Sequence, residues 1–189
     1  MGRMATTPVD SATRYRTLAA AFNDKVEAVR PDQWDLPTTC EDWNVRDIVR
    51  HVVTTEHDML DRVDIDARLT VDVDTEPVAA WHELRDVIQG VLDDPDQVNL
   101  EYESMGSTTT VGRTIDDFGG FDLVVHGWDL AHSTGQDDTI AADEVDRVLA
   151  MSDGLGDMLR SSGVCGPEIP VGPEATAQHR LLARLGRTA

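Results

Sequence analysis

The sequence FDLVVHGWDLAHSTGQ, residues 121–136, predicts a buried helix. A helix that is apolar on all sides is normally buried, and most residues from 118 to 131 are apolar or glycine. Asp122, His126 and Asp129 interrupt this segment, and steps of four and three residues place them on one face. Because a buried line of ionisable groups is costly unless something pairs with it, we expect a partner for this face, and the candidate is a metal ion.

Asp122 and His126 have the spacing of a metal-binding pair. Residues four positions apart on a helix have Cβ atoms about 5 to 6 Å apart, so both side chains can reach one ion. Ions of the zinc type accept imidazole nitrogen and carboxylate oxygen, and three protein ligands leave a coordination position open. The third ligand must come from another helix. We prefer His51, which lies near Ile48 on a partly core-facing position; His57 is the alternative if that helix is rotated by roughly half a turn.

An account without a metal also fits these residues. Asp122 and His126 would form a buried ion pair, and Asp129 would accept hydrogen bonds from backbone or indole N–H groups. If a metal is bound, Asp129 is the catalytic candidate, which orients an imidazole or a bound water, or relays a proton. A purely structural role, as an acceptor for the loop PTTC at residues 37–40, is an equal alternative for Asp129.

Composition predicts one soluble, cytoplasmic domain. The chain has 189 residues, enough for one domain with a well-developed core. Its 16 basic and 36 acidic residues give a net charge of −20, which disfavours nucleic acid and anionic membranes as partners. No segment approaches the roughly 18 apolar residues of a membrane span, and the first residues lack the apolar core of a signal peptide.

The two cysteines, Cys40 and Cys165, form neither a CxxC pair nor a disulfide framework. Cys40 is the nearest candidate nucleophile, since it precedes the helix that carries His51. A reactive cysteine needs an electropositive environment, whereas Glu41 and Asp42 follow Cys40 directly. A catalytic role for this thiol is therefore disfavoured.

Apolar periodicity predicts an all-α bundle with four main helices, an extra crossover helix and a C-terminal tail. Asn44 is the expected N-cap of the second helix, with Asp47 in a capping-box position. Gly119 and Gly120 are expected to let a neighbouring backbone approach. The bundle should occupy residues 1–165, and residues 166–189 should form an extension that packs on it. The predicted helices are 11–30, 45–64, 78–91, 114–133, 145–159 (weakened by Gly154 and Gly156) and a short one ending near Gly186, with 98–111 as a short hairpin or a loop.

Three blocks of the sequence carry a family resemblance. They are PTTCEDWNVRDIVRHV (residues 37–52), DLVVHGWDLAHSTGQ (122–136) and GPEIPVGPEATAQHRLLARLGR (166–187). In this order they resemble successive blocks of actinobacterial proteins in the DinB-like superfamily, close to the mycothiol-dependent maleylpyruvate isomerases and a related group of metal-binding proteins. The resemblance covers most of the chain.

The resemblance implies a DinB-like four-helix bundle of up-down-down-up topology. It also implies a metal held by a histidine of the second helix and an acid-x-x-x-His pair of the third, which fall on His51, Asp122 and His126. Similar isomerases carry glutamate where this chain has Asp122. The implied cofactor is a divalent metal, with zinc expected and nickel or another ion as alternatives, and mycothiol is the implied co-substrate.

The function that the resemblance implies is a thiol-dependent transferase or isomerase acting on a small electrophilic substrate. The metal would bind the sulfur of mycothiol and favour the thiolate, which is the nucleophilic form. The alternative is a non-catalytic metal-binding protein that senses stress or a ligand. Expected partners are a small thiol and the electrophile, with the protein as a monomer or a homodimer. DNA repair, which the superfamily name would imply, conflicts with the net charge of −20.

Overall fold

Helices dominate the parts of the chain that the structure, a computed structural model, describes: residues 10–104, 106–156, 159 and 165–188. A small antiparallel hairpin pairs Glu101 with Thr110. The prediction of an all-α, DinB-like fold is confirmed. The elements are α1 Ser11–Glu27, α2 Val45–Asp61, α3 Pro77–Asp93, α4 Pro95–Val98, β1 Glu101–Ser104, β2 Ser107–Thr110, α5 Val111–Thr114, a π-helical turn Ile115–Gly119, α6 Gly120–Thr134, α7 Ala142–Leu155 and α8 Ala177–Arg184.

Several boundaries differ from the predicted ones. The hairpin, rather than a loop, occupies the region before α5, and Gly106 supplies the positive φ of 79° that its turn needs. The third main helix begins with α5 and contains the π-helical turn, which apolar periodicity does not reveal. The second helix ends before Asp64, whose φ of 57° is left-handed. The end of the fourth main helix, beyond Gly156, lies largely outside the described residues.

Chain contacts divide the protein into two units, and the described part of the first covers residues 10–28, 49–104 and 106–123. In this unit α1 packs against α3. Phe22 and Trp81, both buried, meet edge to face with ring centroids 4.9 Å apart. Arg14 is also buried and pairs with Asp116 at 3.0 Å, so an ion pair tethers α1 to the π-helical turn.

The second unit covers residues 29–48 and, in its described part, 124–156, 159 and 165–188. Here α7 contacts α8, and the buried Gln33 side chain donates a 2.8 Å hydrogen bond to the Thr134 carbonyl. This bond attaches the loop that precedes α2 to the end of α6. A domain boundary near residue 165 stays a prediction. Among the described helices, none combines the length and apolarity of a membrane span.

A capping box starts α2, as the sequence predicts. The Asn44 side chain accepts the Asp47 N–H at 3.0 Å, and the Asp47 carboxylate accepts the Asn44 N–H at 2.9 Å. Asn44→Ala should lower the free energy of unfolding by about 1 kcal/mol, because it removes an acceptor for an otherwise unpaired helix N–H. Urea unfolding measures this change. Asn44→Ser, which keeps a capping oxygen, is the matched control; an equal loss in both variants would contradict the assignment.

Candidate metal centre

His51 and Asp122 lie together in the first unit. The Nε2 atom of His51 is 3.5 Å from Oδ2 of Asp122, and the two side chains are 32% and 12% exposed. The other imidazole nitrogen, Nδ1, lies 3.5 Å from the hydroxyl of Thr55. Two ligands about 2.0 to 2.1 Å from one tetrahedral ion are separated by about 3.3 to 3.4 Å, so this spacing of the donor atoms fits a shared ion.

His126 follows Asp122 by one turn of α6 and is buried. Its Nδ1 atom lies 2.9 Å from Oδ2 of Asp129, and its ring stacks on Trp43 with centroids 5.9 Å apart. A carboxylate beside Nδ1 favours a proton on that nitrogen, which leaves the lone pair on Nε2. This arrangement, an imidazole held by a carboxylate, is the usual one for histidines that bind metals.

Asp129 is fully buried and lies at the centre of a hydrogen-bond network in the second unit. The Nε and Nη2 atoms of Arg187 each donate to one of its oxygens at 2.8 Å. The hydroxyl of Thr39 donates to Oδ1, and the thiol of Cys40 lies 3.4 Å from Oδ2. The loop PTTC therefore donates hydrogen bonds to Asp129, as one of the alternatives expects. The account without a metal expects backbone or indole donors, whereas the donors described here are side chains.

The network shifts two pKa values in opposite directions. Burial alone would raise the pKa of Asp129, but hydrogen bonds from His126 and Arg187, with the charge of Arg187, hold it below its usual range. Burial, with the Asp129 charge, raises the pKa of Cys40 from 9.0 to about 12. A raised pKa favours the protonated thiol of Cys40 over the thiolate at neutral pH.

Glu56 is a buried carboxyl that the sequence analysis missed. The hydroxyl of Tyr15 donates to its Oε2 at 2.9 Å, whereas Oε1 has no hydrogen-bond partner among the described residues. Burial, and then the nearby charge of Asp122, raises the pKa of Glu56 well above its usual value, although the Tyr15 bond lowers it. A signal was present, because Val52, Glu56 and Leu60 follow each other at four-residue steps on an apolar face.

Gly119 and Gly120 make room for side chains rather than for a backbone, contrary to the expectation from the sequence. A Cβ atom on Gly119 would lie 3.2 Å from Oε1 of Glu56. A Cβ atom on Gly120 would lie 2.3 Å from Nη1 of Arg14. The absence of side chains at Gly119 and Gly120 therefore leaves space for the Glu56 carboxyl and the Arg14 guanidinium group.

The raised pKa of Glu56 predicts a pH dependence of stability. The folded protein holds this proton more tightly than the unfolded chain, so the stabilisation is complete below pH 4.5 and is lost as the pH rises towards the folded-state pKa. Glu56→Gln should remove this loss and make the protein more stable than the wild type at neutral pH. Chemical unfolding between pH 4 and 8 measures the effect. The exposed Glu174→Gln is the control for removal of one negative charge; a parallel pH profile for Glu56→Gln and the wild type would contradict the prediction.

The described residues contain two groups of possible metal ligands. One includes His51 and Asp122 of the predicted set, which lie together in the first unit. The other lies within the second unit, where the donor atoms of Cys40, His126 and Asp129 are all within 4.8 Å of one another. His57, the alternative to His51, is 3.7 Å from its neighbour Asp58.

Arg187 is the second residue that the sequence analysis missed. It follows Gly186 beyond the end of α8 and therefore belongs to no apolar periodicity. Its contact with Asp129 joins residues 58 positions apart, which no local pattern indicates.

Comparisons with known proteins identify sequences related to this chain. Two uncharacterized proteins of Mycobacterium tuberculosis, from strains CDC 1551 / Oshkosh and ATCC 25618 / H37Rv, are each 26% identical to this chain over 186 residues, covering 95% of it and 99% of the relative. No solved structure matches. The family model described as the mycothiol maleylpyruvate isomerase N-terminal domain matches residues 15–131, a stretch that contains His51, Asp122 and His126. The chain therefore belongs to the mycothiol maleylpyruvate isomerase N-terminal domain family.

Proposed function

We propose that His51, Asp122 and His126 bind a divalent metal ion and that the protein is a thiol-dependent transferase or isomerase. The observation that carries the proposal is the 3.5 Å separation between Nε2 of His51 and Oδ2 of Asp122, combined with His126 one helical turn after Asp122. Two imidazole nitrogens and one carboxylate oxygen are a donor set typical of catalytic zinc. Zinc is therefore the proposed ion, with nickel or another divalent ion as alternatives.

The group of Cys40, His126 and Asp129 is a weaker candidate for the same ion. Both oxygens of Asp129 already accept hydrogen bonds from Arg187 at 2.8 Å. A cation there would have to displace the guanidinium group or share the carboxylate with a second positive charge. The thiol of Cys40 would also have to lose a proton that its pKa of about 12 retains.

A divalent ion held by His51, Asp122 and His126 would supply an open coordination position and would favour the thiolate form of a small thiol. The side chains of the protein prepare for this chemistry. Asp129 orients His126, and Trp43 packs against the face of the same imidazole ring. Among the roles that the sequence leaves open for Asp129, proton relay is disfavoured, because its lowered pKa makes it a poor proton acceptor at neutral pH. We propose that Asp129 positions His126 rather than relays a proton.

The nucleophile in this proposal comes from a bound small thiol rather than from the protein. Cys40 is protonated, and the family is named for mycothiol. Mycothiol is therefore the proposed co-substrate, and a small electrophile is the second partner. The proposed location is the cytoplasm, and the protein acts as a monomer or a homodimer. With a net charge of −20, nucleic acid and membranes are not proposed as partners.

Cobalt substitution tests the proposal. The protein loaded with one equivalent of Co²⁺ is titrated with mycothiol, and absorption from charge transfer between sulfur and cobalt is followed. We expect a new band that saturates with mycothiol and is missing with S-methylated mycothiol, which cannot form a thiolate. Bound cobalt without this band would favour the non-catalytic alternative, a metal-binding stress or ligand sensor. Failure to bind cobalt, nickel or zinc would overturn the ligand assignment itself.

A further inference from the structure

The end of α8 fixes the position of Arg187. The N–H of Gly186 bonds to the carbonyl of Ala183 at 3.1 Å, and the N–H of Arg187 bonds to that of Leu182 at 2.8 Å. With Gly186 at φ 78°, these are the bonds of a Schellman motif, which ends a helix in one defined conformation. A Cβ atom on Gly186 would lie 2.8 Å from the backbone of Gly166, so the turn is also packed closely against the chain.

All three guanidinium nitrogens of Arg187 are engaged within the second unit. Nε and Nη2 each donate to Asp129 at 2.8 Å, and Nη1 donates to the carbonyl of Leu185 at 3.1 Å. Nη2 also lies 3.5 Å from the sulfur of Cys40. Arg187 is 6% exposed, so its charge is directed inward at Asp129 and not at a ligand in solvent.

This planar, two-point contact determines how the Asp129 carboxylate is turned. A guanidinium group that binds both oxygens fixes the plane of a carboxylate, which a single-point contact does not do. In the observed orientation Oδ2 faces Nδ1 of His126 at 2.9 Å. Without Arg187, only single-point contacts with His126, Thr39 and Cys40 would hold the carboxylate, and its plane would no longer be fixed.

We infer that Arg187 is a positioning residue for the proposed metal centre, because it holds Asp129 in the orientation that keeps the His126 proton on Nδ1 and the lone pair on Nε2. The effect of Arg187 on metal affinity rests on the proposed function, whereas its effect on the orientation of Asp129 and His126 does not. Arg187 lies beyond residues 15–131, the part that matches the family model. The segment after α8 thus contributes to a centre whose ligands all lie within the matched part.

The first test needs no metal. Long-range ¹H–¹⁵N NMR of the histidine rings shows which nitrogen of His126 carries the proton in the metal-free protein, and His126→Gln identifies the signal. We expect the Nδ1-protonated form alone in the wild type. Arg187→Lys, which keeps the charge but cannot hold both oxygens, should give a mixture of tautomers. A single Nδ1-protonated form in a folded Arg187→Lys variant would overturn the inference, whether or not the protein binds metal.

The second test displaces an intact Arg187. Gly186→Ala strains the turn and clashes with Gly166, whereas Gly135→Ala introduces the same change at φ 71° with nothing within 4 Å. Zinc affinity should fall about 10- to 100-fold in Gly186→Ala and Arg187→Lys, as is usual when the hydrogen bonds that orient a metal-binding residue are lost. It should be unchanged in Gly135→Ala. Equal affinities in Arg187→Lys and the wild type would overturn the inference and leave the proposed ligands intact. Should Gly186→Ala fail to fold, Arg187→Lys decides.

Discussion

Replacement of His51 by alanine is expected to leave the purified protein without stoichiometric metal. The substitution removes the imidazole whose Nε2 lies 3.5 Å from Asp122 and reduces the proposed set to two ligands on one helix. The loss of affinity should exceed the roughly 100-fold that removal of an outer-shell partner costs. Elemental analysis of untagged protein measures the metal content, and zinc titration against a chromogenic chelator gives the affinity.

His57→Ala is the matched control for this experiment. His57 lies on the same helix, is the alternative ligand from the sequence, and is beside Asp58 in the structure. We expect this variant to keep its metal. Stoichiometric metal in His51→Ala would exclude the proposed ligand set, and loss of metal in His57→Ala alone would assign the third ligand to His57.

Replacement of Asp129 by alanine is expected to lower the free energy of unfolding by about 3 to 5 kcal/mol. The variant leaves the Arg187 guanidinium group buried without the carboxylate that holds it in the native structure. It also removes the acceptor for His126, Thr39 and Cys40. Urea unfolding of the metal-free protein measures the loss and keeps it separate from any effect of metal binding.

Two comparisons show whether the buried pair causes this loss. Asp138→Ala removes the contact between Asp138 and His132, whose side chains are each 39% exposed. This variant should lower the free energy of unfolding by no more than about 1 kcal/mol. The double variant Asp129→Ala with Arg187→Ala should be more stable than Asp129→Ala alone, since it no longer buries an uncompensated charge. Equal effects of the Asp129 and Asp138 substitutions would contradict this account.

Local patterns in the sequence predicted much of the candidate site. Asp122 and His126 share a helical face because their spacing is four residues, and the capping box of Asn44 and Asp47 depends only on residues three apart. The expectation that Cys40 is unreactive was based on its acidic neighbours. In the structure, burial and the charge of Asp129 raise the pKa of Cys40, which is a different physical cause that also favours the protonated thiol.

Long-range contacts are what the sequence did not disclose. Arg187 reaches Asp129 from a non-helical position, and the hydroxyl of Tyr15 meets Glu56 across 41 residues. The glycines at the start of α6 were recognised as places of close approach, but their neighbours, Glu56 and Arg14, are defined only by the packing of other helices. Pairing between distant residues depends on the folded arrangement, so one sequence does not determine it.

The π-helical turn Ile115–Gly119 changes which face of the following helix Asp122 occupies. A regular α-helix turns by about 100° per residue. A π-helical turn contains one residue more than an α-helical turn, so it rotates the side chains that follow it relative to those that precede it. Val111 is buried before the π-helical turn, Ile115 at its first position and Asp122 after it. Deletion of a single residue here would turn Asp122, the proposed acidic ligand, about a quarter of a revolution away from its present face of the helix.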